Sequence, residues 1–153
     1  MRKAIATCLY LGTLPLVPGT FGTLPAVLLF VLLSRFKPWG EFALLGAFLV
    51  LLPVAVRLAD WATQQTDNDA DPRWFVLDEF VGFLAAALFL RADSIGAAAL
   101  VSFIAFRFFD IAKPFPIGRV ESLGRGWGIV MDDVVAGVYA NIAARLIIFY
   151  FNL

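Results

Sequence analysis

Five apolar stretches, at residues 23–36, 41–59, 80–90, 95–109 and 134–151, leave this 153-residue chain few ways to fold in water. Charged residues are 16% of the sequence, against about 25% in soluble domains, and mean hydropathy is +0.87. With 16 Phe and 4 Trp, the chain reads as one whose solvent is largely lipid. The expectation is an all-α, multihelical integral membrane protein, a single domain over residues 1–153 with about four to five apolar helices. Zero net charge provides no basic field for nucleic acid. Cys8 is the single cysteine, so no intrachain disulfide forms. Met1-Arg2-Lys3 and the apolar residues 4–11 resemble a signal peptide without a clear cleavage site, and are expected to be retained.

A helix that crosses a bilayer needs about 20 residues. The second and fifth stretches approach that length, whereas the first, with Pro25 near its start, suits a short, tilted or re-entrant segment. Asp71-Pro72 predicts a helix start, with Asp71 as N-cap and Pro72 at N1. A helix over 72–91 would span about 30 Å and carry Asp78 and Glu79 in its first turns. Ser94 is the expected N-cap of the next helix, which pairs with it as an antiparallel hairpin. Lys113-Pro114-Phe115-Pro116 ends that helix.

If all five segments alternate, the loops at 12–23, 60–78 and 110–133 share one side. Arg2, Lys3, Arg57, Arg73, Arg107, Lys113, Arg119 and Arg125 lie there too. The turns at 37–40 and 92–93 lie on the other side, with Arg35, Lys37, Arg91 and Arg145. The bias of positive charge places the polar side in the cytoplasm. A single segment that fails to cross would scramble this parity.

The chain has no histidine, so its chemistry must use carboxylates, hydroxyls, backbone dipoles or a metal ion. An oxygen-only donor set favours a hard cation such as Mg²⁺. Four constellations carry candidates. Pro18-Gly19-Thr20-Phe21-Gly22-Thr23 precedes an apolar helix, so Gly19, Gly22 and the Thr20 hydroxyl could cradle a phosphate at its N-terminus; an ordinary Gly/Pro turn explains the same spacing. Asp78-Glu79 sits deep in apolar sequence, beyond the first turn where a helix dipole would welcome acids, which favours metal ligation or general-base work. Arg107, Asp110 and Lys113 recur every three residues at a helix exit, as a metal ligand between two phosphate-binding cations or as a salt-bridged helix end. Gly124-Arg125-Gly126-Trp127-Gly128 reads as a glycine-rich loop before Asp132-Asp133 at the start of the last helix, where one aspartate serves as N-cap and the other lacks a structural reason. Asp67-Asn68-Asp69-Ala70-Asp71 opens like an EF-hand loop, but Pro72 stands where that loop needs glycine, so it reads as a solvated turn.

In this order the four constellations resemble the phosphatidylglycerophosphatase A family. The carrying stretches are Pro18 to Gly22, Asp71-Pro72 with Leu77-Asp78-Glu79-Phe80-Val81-Gly82, Phe106 to Ile117, and Gly128 to Gly137. Arg125, where the family more often has glycine, and Leu77, where some members have Trp, depart from the pattern without removing an acid. The resemblance implies a multihelical, Mg²⁺-dependent enzyme of the bacterial inner membrane, with its active site facing the cytoplasm. It would remove the terminal phosphate of phosphatidylglycerophosphate and leave phosphatidylglycerol. In this reading Asp78, Glu79, Asp110, Asp132 and Asp133 hold one or two Mg²⁺, and Asp78, Glu79, Asp132 and Asp133 supply the catalytic carboxylates. Glu79 is the candidate base toward water, with an aspartyl-phosphate route left open. Arg107 and Lys113, with Gly19, Thr20 and Gly22, bind phosphate.

Rival readings fit less well. Histidine-dependent lipid phosphatases need residues this chain lacks, and the aspartate spacing of CDP-alcohol phosphotransferases is not present. A phosphatase for another lipid phosphomonoester, or a small non-enzymatic helical subunit, stays as the alternative. Oligomeric state is not legible.

Overall fold

The computed structural model describes residues 1–15, 17–66 and 72–153, except the side chain of Arg125. A short helix α1 (Arg2–Ala6) and a 3₁₀ turn (Leu11–Thr13) lead into α2 (Pro18–Leu33) and α3 (Trp39–Gln64). Then follow α4 (Leu77–Ala87), α5 (Ile95–Ala112), a single turn α6 (Ile117–Val120), a second 3₁₀ turn (Glu121–Leu123) and α7 (Arg125–Phe151). No strand occurs among the described residues.

Helix α4 is the axis of the bundle. Nine of its 11 residues are buried, and it packs chiefly on α7 and α2, with α3 and α5 around them. Gly82 and Gly137 let α4 and α7 cross at backbone contact: a Cβ on Gly137 would run into the Gly82 carbonyl, and one on Gly82 would lie 2.8 Å from the Asp133 carbonyl. Phe83 fills the centre, edge-on to Phe30 at 6.5 Å and to Phe106 at 6.3 Å. Burial is inverted relative to a soluble protein. Asp78, Asp132 and Asp133 are buried, while Leu28, Leu49, Val50, Leu100, Ile104 and Leu146 face outward. That arrangement suits a hydrocarbon solvent. Three helices are long and apolar enough to cross a membrane: Trp39–Gln64, Ile95–Ala112 and Gly126–Phe151. The apolar α2 is shorter, at 16 residues. The architecture is that of a multihelical membrane protein.

Several expected boundaries move. The helix expected over 72–91 is confined to Leu77–Ala87, and Asp71 lies outside the described residues with Asp67 to Ala70. Before it, Phe75 N–H closes a turn on the Pro72 carbonyl at 2.8 Å, and Val76 N–H donates to the Ala6 carbonyl at 3.0 Å. Docking of this segment on α1 therefore takes the amide that a longer helix would use. After it, the chain leaves helical geometry at Leu88. The freed carbonyls find donors on α7: Asn141 Nδ2 donates to Ala86 O at 2.7 Å and Leu88 O at 2.9 Å. Arg145 Nη2 donates to Leu88 O at 3.0 Å and Phe89 O at 2.7 Å. Non-helical backbone at membrane depth persists only where such partners exist. Ser94 caps α5 as expected, accepting from Ala97 N–H at 3.2 Å, and Lys113 ends that helix in the left-handed region at φ 40°.

The two glycine-rich segments read as loops are helical instead. Pro18 occupies the first turn of α2, and residues 126–128 lie in the first turn of α7. Asp132 and Asp133 therefore sit two turns inside α7, and neither is its N-cap. The N-cap is Gly124, and Asp60, from α3, accepts the first-turn Gly126 N–H at 2.7 Å. An acid there also complements the positive end of the helix.

Candidate active site

Local folding delivers each charged side chain to the same end of the bundle. The turn at 72–76 starts α4 at Leu77, so Asp78 and Glu79 fall in its first turn rather than beyond it as the sequence suggested, and reach toward α7 and α2. The left-handed Lys113 ends α5 and turns its ammonium back toward α7. The close α4–α7 crossing brings Asp133 beside Gly82. Together these elements enclose a cavity of ≈ 540 Å³ lined by Asp78, Glu79, Arg107, Asp110, Lys113, Asp132 and Asp133. Thr63, Arg73 and Glu121 add polar groups to its wall, beside Pro18 and Gly19.

Three carboxylates converge at its floor. Asp78, Glu79 and Asp133 each offer an oxygen, and these oxygens lie within 4.8 Å of one another. Glu79 Oε2 is sealed from solvent and has no hydrogen-bond partner among the described residues. A buried carboxylate oxygen without a donor costs roughly 1–3 kcal/mol or more, so the cluster suits an added cation better than it suits three carboxylates alone. Burial, then the nearby charge of Asp110, pushes the Glu79 carboxyl up to about 7 despite the opposing hydrogen bond from Asp78 and the Arg107 charge. An all-carboxylate donor set of this kind suits a hard divalent ion.

The cations stand across from this cluster, each held by an acid. Arg107 Nη1 donates to Asp110 Oδ2 at 2.6 Å. Lys113 Nζ donates to Asp132 Oδ2 at 2.7 Å and to Glu121 Oε2 at 3.1 Å. Burial works against the lysine charge, but the bonds and charges of Asp132 and Glu121 outweigh it and hold its pKa above the usual lysine value. Lys113 therefore stays charged. Asp132 accepts the Asp133 N–H at 2.9 Å through its other oxygen. So of the five acids expected to ligate metal, Asp78, Glu79 and Asp133 form the cluster. Asp132 is turned toward Lys113, and Asp110 pairs with Arg107 while also meeting the Asp133 side chain at the edge of the cluster.

The N-terminus of α2 contributes contact rather than a loop cradle. A Cβ on Gly19 would collide with Glu79 Oε1 and come within 3.0 Å of Arg107 Nη1. Gly19 is thus the space into which these two side chains fit. Gly22 packs on Val76, and neither Gly22 nor Thr20 is on the cavity lining. Sequence reasoning missed Arg73 and Glu121 as wall residues. Arg73 follows Asp71-Pro72 directly, and Glu121 lies eight residues after Lys113; neither spacing marks a site by itself.

Comparison with known proteins agrees with the geometry. The family model for phosphatidylglycerophosphatase A matches residues 4–148. The chain belongs to the phosphatidylglycerophosphatase A family. A phosphatidylglycerophosphatase A of Haemophilus influenzae is 39% identical over 140 residues, 86% of this chain and 78% of that protein. That of Escherichia coli is 34% identical over 131 residues, 83% of this chain and 72% of that protein. A Bacteroides thetaiotaomicron relative, provisionally named a phosphatidylinositol-3-phosphatase, is 34% identical over 134 residues, 86% of this chain and 83% of that protein. No solved structure matches. The family match spans every element that builds the cavity, from α2 to α7.

Proposed function

We propose that this protein hydrolyses the terminal phosphomonoester of phosphatidylglycerophosphate to phosphatidylglycerol and phosphate, with Mg²⁺ held by Asp78, Glu79 and Asp133. The observation that carries the reading is the meeting of these three carboxylates with Arg107 and Lys113 in one cavity at one end of the bundle. Family membership and the names of the Haemophilus and Escherichia relatives support the substrate. The positive charge gathered at that end supports a cytoplasmic orientation in a bacterial inner membrane.

A bound divalent cation supplies charge neutralisation and lowers the pKa of water. The chain's own residues do the rest. Arg107 and Lys113 hold the oxygens of the phosphoryl group, where positioning and electrostatics dominate the barrier. Asp110 and Asp132 orient those two cations. Glu79, beside Asp78 and Asp133 on the cavity lining, is the candidate acceptor of the proton of the attacking water. An aspartate nucleophile is the second route, and trapping a phosphorylated protein would assign it.

Phosphate release by purified protein in detergent tests this function, with Mg²⁺ and with EDTA, on phosphatidylglycerophosphate, phosphatidic acid and phosphatidylinositol 3-phosphate. Mg²⁺-dependent release selective for phosphatidylglycerophosphate is expected. Preference for the phosphoinositide would move the chain to the activity named for the Bacteroides relative. No release from a folded sample on any of the three would leave a non-enzymatic subunit.

A further inference from the structure

We propose that Lys3 and Arg73 form a second anion subsite, which holds the phosphodiester of the lipid while its terminal phosphate lies at the carboxylates. This rests on the function proposed above and names what selects that substrate. A smaller neighbouring groove of ≈ 380 Å³ adjoins the carboxylate-lined cavity and shares Pro18 and Arg73 with it. Lys3 and Trp74 form its far wall.

The charges in the two cavities differ in kind. Arg107 and Lys113 are each neutralised by an acid at hydrogen-bond distance. Among the described residues, Lys3 and Arg73 have no ion pair. Lys3 is nonetheless placed, its ammonium 5.9 Å from the Trp74 ring centroid, a cation–π distance, and Trp74 is edge-on to Trp61 at 6.0 Å. Two cations on one groove that no described acid neutralises, beside a cavity suited to a phosphoryl group, present a site for a second anion.

The order of features matches the order of the substrate. From the carboxylates the path runs past Arg73 to Lys3. Gly12, Thr13, Leu14 and Pro15 complete the groove there, and Leu14 is an exposed apolar residue. From its terminal phosphate, phosphatidylglycerophosphate runs through glycerol to a phosphodiester and then to acyl chains. Phosphatidic acid has its single phosphate next to the diacylglycerol and offers nothing to the groove once that phosphate sits at the carboxylates. Occupancy of Lys3 and Arg73 therefore discriminates between the two lipids. Charge-assisted hydrogen bonds are strong enough to do so.

The test measures kcat and KM on both lipids, in uncharged detergent micelles with Mg²⁺, for wild type, Lys3→Gln, Lys3→Arg and Arg73→Gln. Both side chains are exposed, so the variants are expected to fold, and elution as a single species checks this. The ratio of kcat/KM for phosphatidylglycerophosphate over phosphatidic acid should fall about tenfold in each Gln variant. The loss should lie mainly in KM, and Lys3→Arg should retain most of the selectivity. An equal loss on both lipids would mean that the cations only attract the protein to a charged surface, and would overturn the subsite. An unchanged ratio would also overturn it. Wild type inactive on phosphatidylglycerophosphate would overturn the functional reading itself, and that is seen before any variant is compared.

Discussion

Gly19 shows how much of the site depends on one missing methyl group. Glu79 and Arg107 both occupy the space where its Cβ would lie. Gly19→Ala should push these two side chains apart and lower kcat at least tenfold, while thermal unfolding in detergent changes little because the residue is at the end of α2. An unaltered kcat would mean that Glu79 and Arg107 need no fixed separation. Cys8 makes a second residue-level prediction. Burial, then the charge of Glu79, pushes its thiol up to about 12. Since the thiolate is the reactive form, the folded protein at pH 7.5 should label with a maleimide at least a hundredfold more slowly than the denatured one. The gap should narrow only as pH rises toward that value. Equal rates would show Cys8 to be free of this environment. The acidic residues of the site were legible in the sequence because buried charge in apolar surroundings needs a reason. Arg73 and Glu121 were not, since exposed charges near turns are common and tertiary packing alone places them on the cavity wall.

At the scale of elements, the C-terminus of α4 is the least expected feature. The sequence predicts one long helix there, because hydropathy does not register a change of backbone path inside an apolar run. What permits the change is Asn141, a polar residue in the middle of α7 that donates to Ala86 O and Leu88 O. Asn141→Leu would leave both carbonyls without these donors and should destabilise the fold by roughly 1–3 kcal/mol. The unfolding midpoint in detergent would fall accordingly, whereas metal-dependent turnover of the remaining folded protein is kept. A midpoint equal to wild type would contradict the assigned role. The starts of α2 and α7 were misread for the opposite reason. Glycine and proline usually signal loops, but here Pro18 fits the first helical turn, and Gly126 and Gly128 allow the first turn of α7 to press against α3 and Glu121. Moving Asp132 and Asp133 from a helix end to its interior is what seals them in the cavity.

For the molecule as a whole, alternation of apolar segments anticipated the clustering of polar residues at one end. Residues 18–19, 73–79, 107–113 and 121–133 meet in one cavity, and residues from 37–41, 91–93 and 148–153 line a second one elsewhere. The individual segment lengths were less legible, because the buried α4 ends in a turn at Leu88–Phe89 in place of further helical turns. Orientation gives a prediction at this scale. With the native Cys8 thiol quiet, Ser122→Cys should label with an impermeant maleimide in inverted vesicles and Asp93→Cys in intact spheroplasts; the reverse pattern would invert the proposed topology. The central claim is that Asp78, Glu79 and Asp133 together hold the divalent cation that the reaction needs. Its most direct test is phosphate release from phosphatidylglycerophosphate as a function of Mg²⁺ concentration for Asp78→Asn, Glu79→Gln and Asp133→Asn, beside Glu41→Gln from the second cavity. The account predicts a loss of at least a hundredfold in kcat in each of the first three, in protein that remains folded, with the Glu41→Gln curve superimposed on wild type. Near-normal turnover and an unshifted Mg²⁺ dependence in two of those three variants would contradict it.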